Sequence, residues 1–144
     1  NVPNEIDIAC RKNGFFYVKN HGIDQSTLKT LKKNTFGFFK DLNQEQKHNM
    51  APKKWNPNSR NIMRGYISAK VNKKECFDIG NPMLDENHEL ILNKVPLQEI
   101  NVWPREEDLP NVREFLEEYY VKMLNLGRVI LRGFSLALGK DEHF

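Results

Sequence analysis

The side chains best suited to metal or acid–base chemistry in this sequence are four histidines, His21, His48, His88 and His143. None of them is followed two positions later by Asp or Glu, so the sequence has no His-x-Asp metal pair. It also has no HExxH, GxSxG, P-loop or GxGxxG motif, and no cysteine or histidine group with zinc spacing. A catalytic centre therefore cannot be assembled from local motifs.

His21 stands beside Gly22 at the end of a dense aromatic run, Phe15 to Val18. Because single histidines more often serve structure than chemistry, we predict that its ring bonds a neighbouring backbone group. A lone metal ligand or a general base is the alternative.

A basic segment, residues 53–74, contains Trp55 and Tyr66 and no acidic residue before Glu75. Its cations are Lys53, Lys54, Arg60, Arg64, Lys70, Lys73 and Lys74. The segment is consistent with a solvated loop, with a mouth for an anionic small molecule that Arg64 grips bidentately, or with stacking of single-stranded nucleic acid. The solvated loop is the interpretation we favour.

Composition excludes several classes of protein, but it does not indicate a function. A chain of 144 residues with 39% hydrophobic and 28% charged residues suits one folded domain. The net charge, 22 − 19 = +3, is too small to indicate a nucleic-acid partner. Apolar runs fall far short of the roughly 20 residues that cross a bilayer, and no apolar signal segment stands in residues 1–20. Two cysteines are too few for a disulfide framework, so a cytoplasmic location is expected.

Apolar periodicity predicts two dominant helices, over 24–40 and 111–139, and a shorter helix over 3–13. Asn43 and Gln46 have the spacing of a capping box, which predicts a further short helix.

Extended structure is expected at three places. The aromatic run predicts a buried strand over 15–19 that joins one edge of a sheet. Weaker strands are expected at 65–67 and 75–80. Residues 51–59 are predicted to form an exposed loop, and residues 81–109 are loop-like.

Several segments, taken in order, resemble one enzyme family. Residues 9–23 read Ala-Cys-Arg-Lys-Asn-Gly-Phe-Phe-Tyr-Val-Lys-Asn-His-Gly-Ile, and they are followed by Phe38-Phe39, Arg64-Gly65-Tyr66, the run 74–80 (Lys-Glu-Cys-Phe-Asp-Ile-Gly) and the run 101–104 (Asn-Val-Trp-Pro). This order resembles the N-terminal region of the iron(II)/2-oxoglutarate-dependent dioxygenases of the isopenicillin N synthase-like group. The resemblance covers about residues 5–139.

The resemblance implies an α+β fold, the helix-rich N-terminal region of a double-stranded β-helix (jelly-roll) dioxygenase, with most of the catalytic β-helix absent from this chain. It divides the chain into an N-terminal dioxygenase region (1–110), a long helix packing on the β-helix core (111–139) and the start of the catalytic region (140–144).

The same resemblance implies an oxidoreductase that uses Fe(II) and 2-oxoglutarate to hydroxylate, desaturate or cyclise a small organic substrate. The family's His-x-Asp pair, distal His and Arg-x-Ser pair lie after the long helix, so no metal or catalytic residue is expected in this chain, and the chain alone is expected to be inactive. Arg64 and Tyr66 are the candidate substrate-binding residues. The alternative is a non-catalytic module that binds nucleic acid or another anion through residues 53–74.

Overall fold

The computed structural model describes residues 1–68 and 73–143, and within them it is helix-rich with one small sheet. Its elements in chain order are α1 (Val2–Lys12), α2 (Gln25–Asp41), α3 (Gln44–Asn49), β1 (Gly65–Ile67), β2 (Cys76–Asp78), α4 (Glu89–Leu92) and α5 (Val112–Ala137). The helical predictions and the two short strands are confirmed to within a few residues at each end. The β-helix itself remains a prediction.

Two compact units make up the chain. One combines Asn1–Leu28 with Tyr119–Phe144, and the other is Lys29–Glu118. We call them the terminal unit and the central unit. The boundaries predicted at 110/111 and 139/140 concern packing against a catalytic region, and they remain predictions.

In the terminal unit, α1 packs closely on the second half of α5. Ile6 is buried, and a Cβ added to Gly133 would lie 2.8 Å from the Ile6 Cδ1 atom. The Phe16 ring lies 6.0 Å from the Phe134 ring, tilted by 58°. Apolar contacts of this kind hold α1 and the residues after it against α5.

The prediction of a buried strand over 15–19 is wrong for the described structure. These residues form no strand, and the side chains of Phe15 and Tyr17 are 72% and 93% exposed. The physical reason is that a strand needs a partner for its backbone, and no backbone hydrogen bond joins residues 15–19 to another described residue. Phe16 is the exception in burial, because it packs on Phe134.

The core of the central unit is aromatic. Phe38, Leu42, Met50 and Tyr66 are buried together, and the Phe38 ring lies 4.2 Å from the Phe77 ring. β1 and β2 pair antiparallel, with Tyr66 opposite Phe77. This register places both rings of the hairpin within reach of α2.

The hairpin is tied to the end of α3 through backbone. The Tyr66 N–H donates to the Met50 carbonyl at 3.0 Å. Gly65 has a φ of 119°, and a Cβ there would lie 2.0 Å from the Met50 carbonyl oxygen. Only glycine fits this close approach.

The residues around α3 confirm one prediction and correct another. Asn43 and Gln46 form the predicted capping box at the start of α3. The loop after α3 is not exposed throughout, since Ala51 and Pro52 are buried. The exposed part of the loop therefore begins at Lys53, whereas it was predicted to begin at Ala51.

Candidate functional site

Tyr66, one of the two predicted site residues, lies in a buried polar cluster of the central unit. Its hydroxyl donates to the Glu75 carboxylate, which also accepts from Lys47 Nζ at 3.2 Å. Lys47 Nζ donates further to the Phe39 carbonyl at 2.6 Å. The Lys47 side chain is 4% exposed and that of Glu75 28%. We call Lys47, Tyr66 and Glu75 the polar triad.

The polar triad shifts the titration of two of its members. The hydrogen bond from Tyr66, followed by the contact with Lys47, lowers the pKa of Glu75 below its usual value. Burial, together with the neighbouring Glu75 carboxylate, raises the pKa of Tyr66 to about 12. Glu75 is therefore held ionised and Tyr66 protonated, so the hydroxyl serves as a hydrogen-bond donor inside the fold.

Arg64, the other predicted site residue, is half-buried and bonds two loops. Its Nη1 donates to the Ile79 carbonyl at 3.2 Å, and its Nη2 to the Leu97 carbonyl at 3.4 Å. The guanidinium lies against Gly80, where a Cβ would come within 2.6 Å of the Arg64 Cζ atom. Arg64 and Tyr66 are thus both engaged in bonds within the central unit.

Glu99 is a residue that the sequence analysis missed. Its carboxylate accepts three consecutive backbone N–H groups, those of Ile62, Met63 and Arg64, at 2.7, 3.0 and 2.8 Å. Successive N–H groups that converge on one point form an anion-binding nest. Nothing in the local sequence marks Glu99, because its three donors lie about 36 residues earlier in the chain.

Asn101 adds a second brace to the same loops. Its Oδ1 accepts from the Gly80 N–H at 2.7 Å, and its Nδ2 donates to the Gly80 carbonyl at 3.0 Å. Glu99 and Asn101 therefore anchor the segments before β1 and after β2 to the same stretch of chain. Ile62 and Met63, whose N–H groups bind Glu99, have exposed side chains.

The prediction for His21 is confirmed: its Nδ1 accepts a hydrogen bond from the Ile23 N–H at 3.1 Å. His48 contacts the Gln44 carbonyl within α3, and His88 caps α4 by accepting from the Leu90 N–H. All three imidazole rings therefore interact with backbone groups two to four residues away in the chain.

No group of three or more His, Cys, Asp or Glu side chains in residues 1–68 and 73–143 is arranged to hold a metal ion. The described side chains therefore do not fit an iron site. In the same stretches of the chain, no helix is both long and apolar enough to cross a membrane.

Where the structure describes the basic segment, some of its cations contact neighbouring side chains. Lys54 lies over the Trp55 ring, with Nζ 5.0 Å from its centre. Arg60 pairs with Glu86 at 2.9 Å, both side chains being exposed. Lys70 lies outside the described residues.

The described residues are helix-rich with one two-stranded sheet, and most of their chemistry-bearing side chains bond backbone groups or one another. Residues 1–106 match the family described as non-haem dioxygenase in morphine synthesis N-terminal, and the chain belongs to this family.

Curated relatives agree with the family assignment. The isopenicillin N synthases of Amycolatopsis lactamdurans and Streptomyces clavuligerus are each 41% identical to this chain, in alignments 145 residues long that cover 99% of this chain. The chain spans only 43% of the length of either relative.

A solved structure agrees in fold. The crystal structure of a C-terminally truncated Neurospora crassa protein, in apo form, is similar with a TM-score of 0.75 at 22% identity. The similarity covers 99% of this chain and 47% of that one. At this identity the likeness supports the fold alone, and the family assignment rests on the match over residues 1–106.

Proposed function

We propose that this chain is the N-terminal region of an Fe(II)- and 2-oxoglutarate-dependent dioxygenase that oxidises a small organic molecule by hydroxylation, desaturation or cyclisation. The observation that carries the proposal is the 41% identity to isopenicillin N synthases across nearly the whole chain. The protein is an oxidoreductase of the cytoplasm in this proposal, with a small-molecule substrate and no nucleic-acid partner.

The described residues supply scaffold to this enzyme, and the metal ligands come from elsewhere in it. Residues 111–139 pack on the catalytic β-helix, and residues 140–144 begin it. Large apolar side chains on α5 that are exposed in the terminal unit, among them Val129 and Leu131, support this packing. The 144-residue chain alone is inactive in this proposal.

Arg64 and Tyr66 contribute to substrate binding by shaping the segment that begins β1. Their bonds to Ile79, Leu97 and Glu75 fix the loop from which Ile62 and Met63 protrude. The bonds to the Ile79 and Leu97 carbonyls do not use all the N–H donors of the Arg64 guanidinium, and the bond to Leu97 is weak at 3.4 Å, so donors remain for a substrate carboxylate.

Oxygen uptake by the purified full-length protein tests the proposal, with a panel of small peptides and organic acids as substrates. Fe(II) and 2-oxoglutarate are each added and omitted in turn. Uptake that needs both supports the proposal in full. Uptake that needs Fe(II) and is indifferent to 2-oxoglutarate overturns the cosubstrate assignment and leaves the iron assignment standing. Uptake that is indifferent to Fe(II) overturns both.

A further inference from the structure

We propose that one side of α2 is a docking surface for an anionic lipid membrane, on which the protein binds reversibly without entering the bilayer. Five exposed side chains form this surface, which we call the lysine stripe: Lys29, Lys32, Lys33, Phe36 and Lys40. The inference goes beyond the proposed function and does not depend on it, because no residue of the stripe belongs to the candidate site.

Helical spacing places the five side chains of the lysine stripe on one side of α2. They recur at steps of one, three or four residues and stand within roughly a third of the helix circumference. From Lys29 to Lys40 the stripe extends over about 16 Å of helix. Phe38, on the opposite side, is buried in the core of the central unit, which also contains the whole stripe. The stripe therefore faces away from that core.

The lysine stripe concentrates the positive charge of the chain. Helix α2 holds four lysines and one acidic residue, Asp41, so its net charge, 4 − 1 = +3, equals that of the whole chain. In the part of the chain that the structure describes, no acidic side chain pairs with any of these lysines. Lys29 and Lys33 are one turn apart and repel each other. An anionic surface would relieve that repulsion.

An aromatic ring lies in the middle of the lysine stripe. Phe36 is 49% exposed, and the Nζ atoms of Lys32 and Lys40 lie 5.8 and 5.0 Å from the centre of its ring. At a membrane surface, lysines contact the anionic head groups while aromatic rings enter the boundary between head groups and acyl chains. The stripe presents both kinds of group side by side.

Shape and composition favour a membrane over other anionic partners. The lysine stripe is convex because it stands on a helix, so it does not enclose a small anion as a concave pocket does. Protein interfaces depend on clustered apolar anchors and single-stranded nucleic acids on successive stacking rings, whereas the stripe has one ring, Phe36. Each lysine near an anionic leaflet strengthens binding about fivefold, so four strengthen it roughly 600-fold.

Sedimentation of the full-length protein with lipid vesicles is the first test. The vesicles contain phosphatidylcholine alone or with about 30% phosphatidylserine, a mixture that carries negative surface charge. We expect half of the protein to bind at about 1 mM accessible lipid when phosphatidylserine is present in about 0.1 M salt, and binding at least tenfold weaker without it or in about 0.5 M salt. Equal binding to both kinds of vesicle, or none to either, would overturn the proposal.

Two charge-matched variants locate the binding surface. Replacing the four lysines of the lysine stripe by glutamine (Lys29→Gln, Lys32→Gln, Lys33→Gln and Lys40→Gln together) should weaken binding to the phosphatidylserine vesicles at least about 50-fold. The control removes four exposed lysines of the basic segment instead, Lys53→Gln, Lys54→Gln, Lys73→Gln and Lys74→Gln, and should weaken it less than about fivefold. Equal weakening in the two variants would overturn the proposal, because net charge alone would then explain the binding.

Phe36→Trp locates the contact without removing a charge, so it decides even if a glutamine variant does not fold. Phosphatidylserine vesicles with brominated acyl chains quench a tryptophan that reaches the boundary of the acyl chains. The emission that this variant adds to that of the wild type should fall by about half or more. Quenching no greater than that of the wild-type tryptophans would overturn the proposal.

Two soluble polyanions test the other partners. Poly-L-glutamate stands for an acidic protein and a thymidine oligonucleotide for single-stranded nucleic acid. We expect each to bind at least tenfold more weakly, per negative charge, than the phosphatidylserine vesicles, because neither offers Phe36 an apolar boundary. Tighter binding to either polyanion would overturn the proposal in favour of that class of partner.

Discussion

Replacing Glu75 by glutamine should destabilise the full-length protein by about 2 kcal/mol, because it leaves the buried Lys47 ammonium without its counter-ion. At a separation of 3.2 Å, the Coulomb attraction between the two groups is about 5 kcal/mol at an effective dielectric constant of about 20. The net loss is smaller for two reasons. Glu75 is 28% exposed, and the glutamine oxygen still accepts a hydrogen bond from Tyr66.

Urea unfolding at pH 7 gives the free energy of unfolding, and Glu86→Gln is the matched control. Glu86 also pairs with a cation, Arg60, at 2.9 Å, but their side chains are 74% and 86% exposed, so its loss should cost less than about 0.5 kcal/mol. Combining Lys47→Met with Glu75→Gln should give a coupling energy of about 1–3 kcal/mol. Equal costs for Glu75→Gln and Glu86→Gln, or strict additivity of the double variant, would refute the reasoning.

The Glu75 carboxylate also makes the free energy of unfolding depend on pH, and the sign of that dependence follows from its pKa. Because the pKa of Glu75 is lower in the folded protein than its ordinary value of 4.5, its stabilisation is present above that value and is lost as the pH falls through the folded-state pKa. Comparison of wild type with Glu75→Gln from pH 7 to pH 3 isolates this contribution. A difference that grows on acidification would contradict it.

Four further predictions concern the same unit. The pKa of Tyr66 is raised to about 12, so its contribution to the free energy of unfolding should be lost as the pH rises from 10 to 12. Over that range, the melting temperature of Tyr66→Phe should therefore fall less than that of the wild type. Gly65→Ala should cost at least about 3 kcal/mol or abolish soluble expression, since its Cβ would lie 2.0 Å from the Met50 oxygen. Glu99→Gln should cost about 1–3 kcal/mol in urea unfolding, because one amide oxygen replaces the carboxylate that binds three N–H groups. In the full enzyme, Arg64→Ala should lower kcat/KM by the equivalent of about 1–3 kcal/mol while far-UV circular dichroism stays unchanged; unchanged kinetics across acidic substrates would remove Arg64 from the site.

The helices were predictable because their information is local. Periodic apolar residues and a capping box specify α2, α3 and α5 without reference to the rest of the chain. The start of α5 is an instructive exception. Asn111 and Glu114 have capping-box spacing, yet Asn111 takes a φ of 61° and its N–H donates to Glu106. That φ lies outside the extended region of an N-cap residue.

The hydrogen bonds of Glu99 and Asn101 could not be predicted from the sequence, because each joins residues that are distant in the chain. Glu99 bonds donors about 36 residues away, and Asn101 bonds Gly80 21 residues away. The prediction of a strand over residues 15–19 was wrong for a related reason. The composition of these residues favours a strand, but pairing depends on a partner strand that the described residues do not supply. Motif resemblance identified the family, while the contacts of Arg64 and Tyr66 became visible only in the structure.

Anaerobic Fe(II) titration of the full-length protein and of its His21→Asn variant tests the central claim most directly. The claim is that this region belongs to an iron dioxygenase and supplies none of the metal ligands. Asparagine keeps an acceptor for the Ile23 N–H, so the local turn should be preserved. The account predicts one Fe(II) per chain in both proteins, with affinities equal within about threefold, since removal of an outer-shell partner of a metal ligand alone costs about tenfold or more. Absence of Fe(II) binding in the wild type, or its loss in the His21→Asn variant, would contradict it.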